Sequence, residues 1–356
     1  MESKVRRVRK KQAVSIYTLA EDFGVNPGTV SRALRNRPEV GLPMRKAIRK
    51  KAAELGFKLR NLEIRVTNIC AVIETVPNQQ SLFSAYVNEV MDGIWRYCRA
   101  NDIELSLFGE ELDRLTKCDL AKVLGRRGVN GAVFLNTSKR SRYFTSLNEQ
   151  KFPYCCVMTG PPQASAWTIR ADAADMAERA TEHLIQLRHR RIALLNSLTG
   201  YEQGEERKAG YLRALQKAGL GKDAAMIFVP QDCGSIPSDG FDFGVQGVRA
   251  MLAMPNPPTA FLTMSDEAGL AAVHELSACG IKVPEKVSLI SFDDSRFCMF
   301  SSPPLTVISI PYQKIGMEAA SLVHRQLVEN MGKSPPPLNV IQGDLVIRGS
   351  SGPAPG

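Results

Sequence analysis

The amino-terminal segment concentrates side chains that bind phosphate. Residues 1–66 hold 17 Lys and Arg against six Asp and Glu, a net charge of +11, whereas the rest of the chain holds 29 basic and 30 acidic side chains, a net charge of −1. Guanidinium and ammonium groups pair with phosphate oxygens. The formal net charge of +10 therefore belongs to one small segment, which indicates a nucleic-acid-binding module joined to a neutral body. A solubilising basic tail is the alternative.

The thiols and imidazoles are too dispersed to predict a metal site or a disulfide framework. The eight cysteines form no CxxC pair, and only four histidines are present. Most of the cysteines lie in apolar runs, where we expect them to be small buried apolar residues. No glycine-rich phosphate loop follows the first predicted strand, and neither GxSxG nor HExxH occurs. We therefore expect no metal, no cofactor and no enzymatic activity. An α/β enzyme with a DNA tether is the alternative.

Composition and hydropathy indicate a globular, cytoplasmic protein. With 44% apolar and 23% charged residues, the 356-residue chain is close to the globular average and long enough for two or three compact units. It contains no run of about 18 apolar residues, so no segment is predicted to span a bilayer. Residues 1–11 are charged and no apolar stretch follows them, unlike a secretory signal peptide.

Three short helices are predicted to carry the amino-terminal basic residues. They begin at Ile16, near Asn26 and near Pro43, where a capping Ser or Asn or a Pro in the first turn marks a helix start. The third helix runs to Leu55. Its basic residues are expected to face water or phosphate: Arg45, Arg49, Lys50 and Lys51.

The spacing of Ala20, Gly24 and Val30 is typical of a helix-turn-helix. A small residue lets two helices cross closely, a glycine makes the tight turn, and a branched apolar residue fills the angle between the helices. In this arrangement the second helix enters the major groove of DNA. Together with the charge of the segment, the spacing predicts DNA binding.

The stretch from Val14 to Val40 resembles the DNA-binding headpiece of the lactose-repressor and galactose-repressor (LacI/GalR) family. Within it, Gly24-Val-Asn-Pro-Gly-Thr-Val-Ser-Arg-Ala-Leu34 matches the family's Gly-Val-x-Pro-x-Thr-Val-Ser-Arg-x-Leu. Ala53-Glu-Leu-Gly-Phe57 is similar to the end of the family's third helix.

By position, the resemblance implies that the first and second helices contact DNA. Arg32 and Arg35 are the candidates for base-edge or phosphate contacts, because a guanidinium can pair bidentately with guanine. Thr29 and Ser31 are expected to contact phosphates, and the Ser15 hydroxyl to combine such a contact with its capping role. The complete predicted set is Ser15, Asn26, Pro27, Gly28, Thr29, Ser31, Arg32 and Arg35.

Two features depart from the family's pattern. The family's hinge reads Pro-Asn-x-x-Ala-x-x-Leu, and Glu63 and Val66 stand here in place of Ala and Leu. A leucine wedge that kinks DNA is therefore not expected. Residues 1–13 precede the usual start of the family. They would form either a basic arm along the phosphates or in the minor groove, or a solvated tail.

From about Thr67 the sequence alternates short apolar runs with amphipathic stretches such as 87–98 and 176–187. Continuously apolar runs are typical of parallel strands covered by helices on both faces. About 280 residues of this alternation predict two doubly wound α/β subdomains. The predicted strands are Ile69–Ile73, Ile103–Phe108, Ala132–Leu135, Tyr154–Val157, Ile192–Leu195, Ile227–Val229, Ala260–Met264 and Val287–Phe292.

The resemblance continues through the body, where motifs of the family follow in the family's order. They include Gly128-Val-Asn-Gly-Ala-Val-Phe134 and Gly280-Ile-Lys-Val-Pro-Glu-Lys-Val-Ser-Leu-Ile-Ser-Phe-Asp-Asp294. The implied fold is an all-α helix-turn-helix headpiece followed by two doubly wound parallel α/β subdomains, as in periplasmic binding proteins. The implied division is an arm (1–13), a headpiece (14–58), a hinge (59–67), an effector-binding and dimerisation core (68–349) and a flexible tail (350–356).

By position, the family's effector contacts fall on Arg207, Asp266 and Asp172, with Asp293 close by and Phe83 on the rim of the first subdomain. A carboxylate accepts hydrogen bonds from two hydroxyls, a guanidinium donates a fork, and an aromatic ring covers an apolar sugar face. The implied ligand is a polyhydroxylated small molecule such as a sugar or sugar derivative. Alternatively, the aspartates cap helices or turns.

The resemblance thus implies a homodimeric, sequence-specific transcription regulator, with repression as the expected direction. Its affinity for double-stranded operator DNA would be controlled by the small-molecule effector. A soluble small-molecule-binding protein with an incidental basic module is the alternative.

Overall fold

The structure, a computed structural model, describes residues 15–37, 39–55, 57, 67–75, 84–137, 141–160, 167–196, 202–221, 225–229, 240–329 and 339–356. The chain divides into two compact units, residues 1–68 with 99–104 and residues 69–98 with 105–356. The predicted arm, the hinge positions Glu63 and Val66, and the rim residue Phe83 lie outside the described residues.

The described part of the amino-terminal unit contains the three helices α1 (Ile16–Phe23), α2 (Pro27–Leu34) and α3 (Leu42–Glu54). Their apolar faces meet in one core that includes Leu19, Val30 and Ile48, all fully buried. Gly24 follows α1 with a φ of 62°, a left-handed conformation that glycine adopts without steric cost. The three helix starts and the end of α3 lie within one residue of the predicted positions.

The predicted orientation of Arg45 is wrong. Its side chain is buried, and its Nη1 donates a hydrogen bond to the backbone carbonyl of Asn36 at 3.0 Å. Arg45 precedes Ile48 by three residues and therefore lies on the same, inward face of α3. Because Asn36 stands in the turn after α2 with a φ of 56°, Arg45 links α3 to the end of the second helix. Lys50 is exposed, as expected.

The body is built on two sheets of mainly parallel strands. In chain order the described strands are β1 (Asn68–Thr75), β2 (Glu104–Glu111), β3 (Gly131–Leu135), β4 (Tyr154–Val157), β5 (Thr168–Ala171), β6 (Ile192–Leu195), β7 (Met226–Phe228), β8 (Ala260–Thr263), β9 (Ser288–Phe292), β10 (Thr306–Ser309), β11 (Asn339–Ile341) and β12 (Asp344–Val346). The first sheet has the order β11-β5-β4-β3-β1-β2 and the second β12-β10-β9-β8-β6-β7. In the second sheet β12 runs antiparallel to β10.

Helices connect the strands and cover the sheets. In chain order the described helices of the body are α4 (Ala85–Ala100), α5 (Leu112–Lys117), α6 (Leu120–Arg126), α7 (Phe144–Glu149), α8 (Ala173–Gln186), α9 (Glu202–Lys217), α10 (Gly240–Leu252), α11 (Asp266–Ala278), α12 (Phe297–Phe300) and α13 (Tyr312–Glu329). The apolar runs predicted as strands form the sheet centres, where β1, β3, β4, β6, β8 and β9 are buried over almost all of their residues. Burial on both faces explains why these runs are continuously apolar.

Judged from the described strands, the chain passes between the two sheets three times. Strands β1 to β5 belong to the first sheet and β6 to β10 to the second, after which β11 returns to the first sheet and β12 to the second. Helix α8 packs against α9 and β12, whereas α13 packs against β3, β4 and β5. The crossings therefore lie between β5 and α8, between β10 and α13, and between β11 and β12.

Helices α4 and α13 touch backbone to backbone. A Cβ atom added to Gly93 would lie 2.0 Å from the Gln313 carbonyl oxygen, and one added to Gly316 would lie 2.1 Å from the Val90 carbonyl oxygen. Only glycine fits at both positions, because any larger residue would force the helices apart. This contact fixes the amino-terminal end of α13 relative to α4.

The carboxyl-terminal residues are held against the second sheet, in contrast to the flexible tail expected from the sequence. Ser350 is fully buried. Its Oγ donates to the Leu289 carbonyl oxygen at 2.7 Å and accepts from the Thr306 backbone N–H at 2.8 Å. The imidazole of His189, also fully buried, is hydrogen-bonded to the Gly352 carbonyl oxygen at 3.1 Å. Small polar residues can reach buried backbone groups that a longer side chain could not.

Candidate functional site

The first two helices begin with well-formed caps. The Ser15 Oγ accepts a hydrogen bond from the Thr18 backbone N–H at 3.2 Å, and Thr18 Oγ1 accepts one from the Ser15 N–H at 2.8 Å. The Asn26 Oδ1 accepts from the backbone N–H of Thr29 at 2.7 Å and from its hydroxyl at 3.1 Å. These bonds satisfy N–H groups that have no partner within the helix, and they set the direction in which α2 leaves the turn.

Asn26, Thr29 and Arg32 form a hydrogen-bonded row along α2. The Thr29 hydroxyl donates to Asn26 and accepts from Arg32 Nη2 at 3.3 Å. The three residues recur every third position and therefore share one face of the helix. The Thr29 hydroxyl therefore already has both a donor and an acceptor as partners, and it orients the Arg32 guanidinium. To contact a phosphate, Thr29 would have to give up its hydrogen bond to Asn26 or the one from Arg32.

The residues predicted to contact DNA lie on the outside of the amino-terminal unit. Asn26, Gly28, Arg32 and Arg35 are exposed, and Ser15, Pro27, Thr29 and Ser31 are half-buried. Sequence reasoning did not single out Tyr17, which follows the capped start of α1 with 70% of its surface exposed. The signal for it was available, since Tyr17 stands two residues before buried Leu19 and so points away from the core of the unit.

The second group of predicted residues lies at the carboxyl ends of β8 and β9. Arg207, on α9, is almost completely buried and donates from Nη1 to the Met264 carbonyl oxygen at 2.6 Å. Its guanidinium carbon lies 3.9 Å from the centroid of the Phe292 ring, a cation–π contact. The Arg207 Nε has no hydrogen-bond partner among the described residues.

Two carboxylates accompany Arg207. Asp266 is the first residue of α11 and is buried, and its Oδ1 accepts from the Glu267 backbone N–H at 2.9 Å. Asp293 follows β9 with a φ of 69°, and its Oδ1 accepts from the Tyr312 hydroxyl at 2.6 Å. The helix cap itself is Ser265, whose Oγ accepts from the Ala268 N–H at 3.2 Å, so the Asp266 carboxylate is not needed for capping.

The environment makes Asp293 a weak acid. Burial raises the pKa of its carboxyl group to about 6; the Arg207 cation acts in the opposite direction, and the Asp266 carboxylate adds to the increase. Loss of hydration disfavours a charged carboxylate, and a nearby cation favours it. Arg207, Asp266 and Asp293 are therefore electrostatically coupled, and the structure brings these three predicted residues together.

The first subdomain contributes two tyrosines to the same place. Tyr86 on α4 packs edge-on against Tyr312, with ring centroids 5.0 Å apart and an interplanar angle of 65°. The Tyr86 hydroxyl is hydrogen-bonded to the backbone of Asn136, which follows β3. Sequence reasoning missed Tyr86 and Tyr312, because their proximity depends on how the chain crosses between the sheets. Residues from both subdomains therefore meet here, at the candidate ligand cleft.

Asp172 has a different environment. Its Oδ1 accepts from the Asp175 backbone N–H at 3.0 Å and so caps α8. Helix capping was the alternative interpretation for the aspartates, and the structure places Asp172 in that setting. No hydrogen bond or ion pair joins Asp172 to Arg207 in the described parts of the chain.

The chain matches known proteins over nearly its whole length. Residues 181–351 match the periplasmic binding protein-like domain family. The HTH-type transcriptional regulator CelR of Thermobifida fusca is 27% identical over 354 residues, which cover 96% of this chain and 100% of CelR. The HTH-type transcriptional repressor CytR of Escherichia coli strain K12 is 26% identical over 350 residues, which cover 96% of this chain and 98% of CytR.

Solved structures agree with these matches. The transcriptional regulator CelR in complex with cellobiose has a TM-score of 0.69 and 26% identity, covering 95% of this chain and 100% of that chain. A LacI transcriptional regulator from Bacillus cereus subsp. cytotoxis has a TM-score of 0.69 at 24% identity, covering 80% of this chain and 98% of that chain. Over nearly its whole length the chain is therefore similar to transcriptional regulators, and its body is similar to periplasmic binding proteins.

The predicted resemblance and the predicted fold class are therefore confirmed. The protein is a DNA-binding regulator of transcription, with a helical amino-terminal unit before a body of the periplasmic-binding-protein type. The described part of the chain has no helix long and apolar enough to cross a membrane. Nor does it contain a group of three or more His, Cys, Asp or Glu side chains placed to hold a metal ion.

Proposed function

We propose that this protein is a homodimeric repressor of the LacI type, whose affinity for operator DNA is controlled by a carbohydrate bound in the cleft at Arg207, Asp266 and Asp293. The observation that carries the ligand part is the state of Arg207. A buried N–H without a partner costs about 1–3 kcal/mol, and the Arg207 Nε is such a group among the described residues. A ligand oxygen that accepts from it would recover this cost.

The neighbours of Arg207 narrow the ligand class. Asp266 and Asp293 supply carboxylate oxygens that accept hydrogen bonds, and the Tyr86 and Tyr312 rings supply apolar surface. A molecule that presents hydroxyl groups on its edge and C–H groups on its face satisfies all of these. The complex of the relative CelR with cellobiose supports a saccharide as the first class to test.

The exposed face of α2 supports the DNA part of the proposal. Asn26, Thr29 and Arg32 present an oriented guanidinium and polar groups on one side of a helix in a strongly basic unit. Arg32 would read a guanine edge in the major groove. Two copies of the unit would bind half-sites about one helical turn apart, which predicts a pseudo-palindromic operator and a homodimer.

The position of the cleft suggests how ligand and DNA binding are linked. A ligand can shift the protein between two arrangements only by its difference in affinity for them, and a cleft with walls from both subdomains changes shape whenever the subdomains move. Repression is the proposed direction because relatives such as CytR are named repressors. The proposed compartment is the cytoplasm, where the operator would be located.

Selection of bound fragments from a random DNA library tests the operator. Recovery of a pseudo-palindrome is the expected result, and recovery of unrelated fragments would instead favour a small-molecule-binding protein with an incidental basic unit. Sedimentation of the full chain, alone and with the selected DNA, tests the homodimer.

A thermal-shift screen with cellobiose, ribose and sucrose tests the ligand. Ligand at 100 times its Kd stabilises a protein by about 2.7 kcal/mol. The stabilisation should disappear in Asp266→Asn and persist in Asp294→Asn, a matched control whose carboxylate pairs with Arg348 at 2.8 Å. Equal stabilisation of both variants would place the ligand elsewhere. No stabilisation by any saccharide would refute the ligand class.

A further inference from the structure

The hydrogen bond between Tyr312 and Asp293 joins the two subdomains. Asp293 follows β9 of the second sheet, whereas Tyr312 begins α13, which packs against β3, β4 and β5 of the first sheet. The donor–acceptor distance is 2.6 Å. The bond therefore depends both on the carboxylate and on the relative position of the subdomains.

The Tyr312 side chain is held rigidly. It is buried, and the ring of Tyr86 packs against its edge. One turn further along α13, Gly316 touches the α4 backbone at Val90, so α13 cannot slide along α4 without a clash. A hydroxyl fixed in this way constrains the direction of the carboxylate that it contacts.

We propose that Tyr312 is a positioning residue of the ligand cleft: its hydroxyl holds Oδ1 of Asp293 in the anionic form, so that Oδ2 is left to accept a hydrogen bond from a ligand hydroxyl. This inference rests on the proposed carbohydrate site and adds to it a residue that controls the acceptor. Asp293 Oδ2 has no hydrogen-bond partner among the described residues.

Charged and titratable groups surround Asp293 on several elements. Arg207 from α9 stabilises the anion, whereas Asp266 and Glu267 from α11 disfavour it. Tyr312 from α13 lowers the pKa of Asp293 through its hydrogen bond, and burial together with Asp293 keeps the pKa of the Tyr312 phenol well above its usual range. Tyr86 from α4 has its own pKa raised by burial. Both phenols are therefore protonated at neutral pH, and Tyr312 is the donor in its bond to Asp293.

The first test needs no ligand. The full chain is labelled with 13C at the aspartate carboxyl carbon, the Asp293 resonance is identified as the one lost in Asp293→Asn, and its chemical shift is followed with pH by NMR. The parent should titrate at about pH 6. Tyr312→Phe keeps the ring and removes the donor, so the midpoint should rise by about one pH unit.

Tyr86→Phe is the matched control. It removes a neighbouring hydroxyl that bonds the Asn136 backbone rather than Asp293, so the Asp293 midpoint should stay close to that of the parent. Thermal unfolding establishes that both variants fold. An unchanged midpoint in Tyr312→Phe, or an equal rise in both variants, overturns the proposal.

The second test uses cellobiose and isothermal calorimetry over a pH series. If only the anion of Asp293 accepts the ligand, an increase in midpoint from about 6 to about 7 lowers the affinity of Tyr312→Phe about fivefold at pH 6 and hardly at all at pH 8. A loss of affinity that is the same at every pH would mark Tyr312 as a structural residue and overturn the proposal. Absence of cellobiose binding in the parent, with the NMR shift intact, would refute cellobiose as the ligand and leave the positioning role standing.

Discussion

Replacement of Gly316 by alanine should destabilise the body and disturb the cleft. The added Cβ would lie 2.1 Å from the Val90 carbonyl oxygen, 3.0 Å from the Val90 carbonyl carbon and 3.1 Å from the Ile94 nitrogen. Non-bonded heavy atoms prefer about 3.5 Å or more. Helices α4 and α13 would therefore have to separate by about 1 Å, and since all three nearest atoms belong to the backbone, no side chain can move aside to relieve the clash.

Two opposing effects set the magnitude. Overpacking of a buried contact costs about 1–3 kcal/mol, and a backbone clash belongs at the upper end of that range. Alanine regains up to about 1 kcal/mol over glycine within a helix. The free energy of unfolding should decrease by about 2 kcal/mol. In a domain of about 150–250 residues, where 1 kcal/mol shifts Tm by about 2–4 °C, this corresponds to a decrease in Tm of about 4–8 °C.

Gly125→Ala is the matched control. Gly125 lies in α6, and an added Cβ would have no heavy atom within 4 Å. The same substitution should there leave Tm unchanged or raise it slightly. Differential scanning calorimetry of the parent and both variants measures the difference. A Tm of Gly316→Ala at or above that of the parent would refute the close contact of α4 with α13, and with it the rigid support of Tyr312.

Three further outcomes are expected. Arg32→Ala should weaken operator binding by about 1–3 kcal/mol and relax the preference for one base pair. Fluorescence anisotropy with the operator and with mismatched sites measures both effects. An equal loss of affinity for all DNA sequences would mark Arg32 as a phosphate contact. Removal of residues 350–356 should lower Tm, because Ser350 bonds the buried Leu289 and Thr306 backbones; an unchanged Tm would show that the segment contributes nothing. Burial lowers the pKa of His189. The imidazole therefore binds fewer protons in the folded protein than in the unfolded chain, and its contribution to the free energy of unfolding is lost as the pH falls below about 6.5. In urea denaturation the difference between the parent and His189→Gln should therefore narrow between about pH 7 and pH 5, and a constant difference would contradict the buried neutral imidazole.

Local pattern was sufficient to predict the central elements of the fold. The strands β4 and β6 lie at the predicted residues, and the first three helices begin within one residue of the predicted positions. The sequence analysis missed β5, β10, β11 and β12, which have three or four residues each. In β5 half-buried Thr168 and Arg170 alternate with buried residues, so the run is too short and too polar to signal a strand. Such strands are stabilised by their neighbours in the sheet rather than by their own composition.

The site shows the same division between local and non-local information. Arg207, Asp266 and Asp293 were chosen by their positions in motifs that resemble the family's, and the structure brings the three together. Tyr312 could not be predicted, because its contact with Asp293 depends on the path of the chain after β10.

The orientation of Arg45 was predicted wrongly because charge alone suggested a solvent-facing residue, whereas its register with Ile48 places it inside. A long side chain can bury its stem and still satisfy its head group on a backbone carbonyl.

The crossings between the sheets explain why the cleft groups lie where they do. Asp172 stands at the first crossing and caps α8, and Tyr312 is the first helical residue after the second. At the third crossing the Gly343 carbonyl oxygen accepts from Arg179 Nη2 at 2.6 Å, and a Cβ at Gly343 would lie 2.5 Å from the Met176 sulfur. Both partners belong to α8, so the first and third crossings are held together. The first and third crossings would therefore move together in a rotation of one subdomain against the other. A residue beside a crossing, such as Tyr312, is therefore well placed to make ligand binding depend on the relative position of the subdomains.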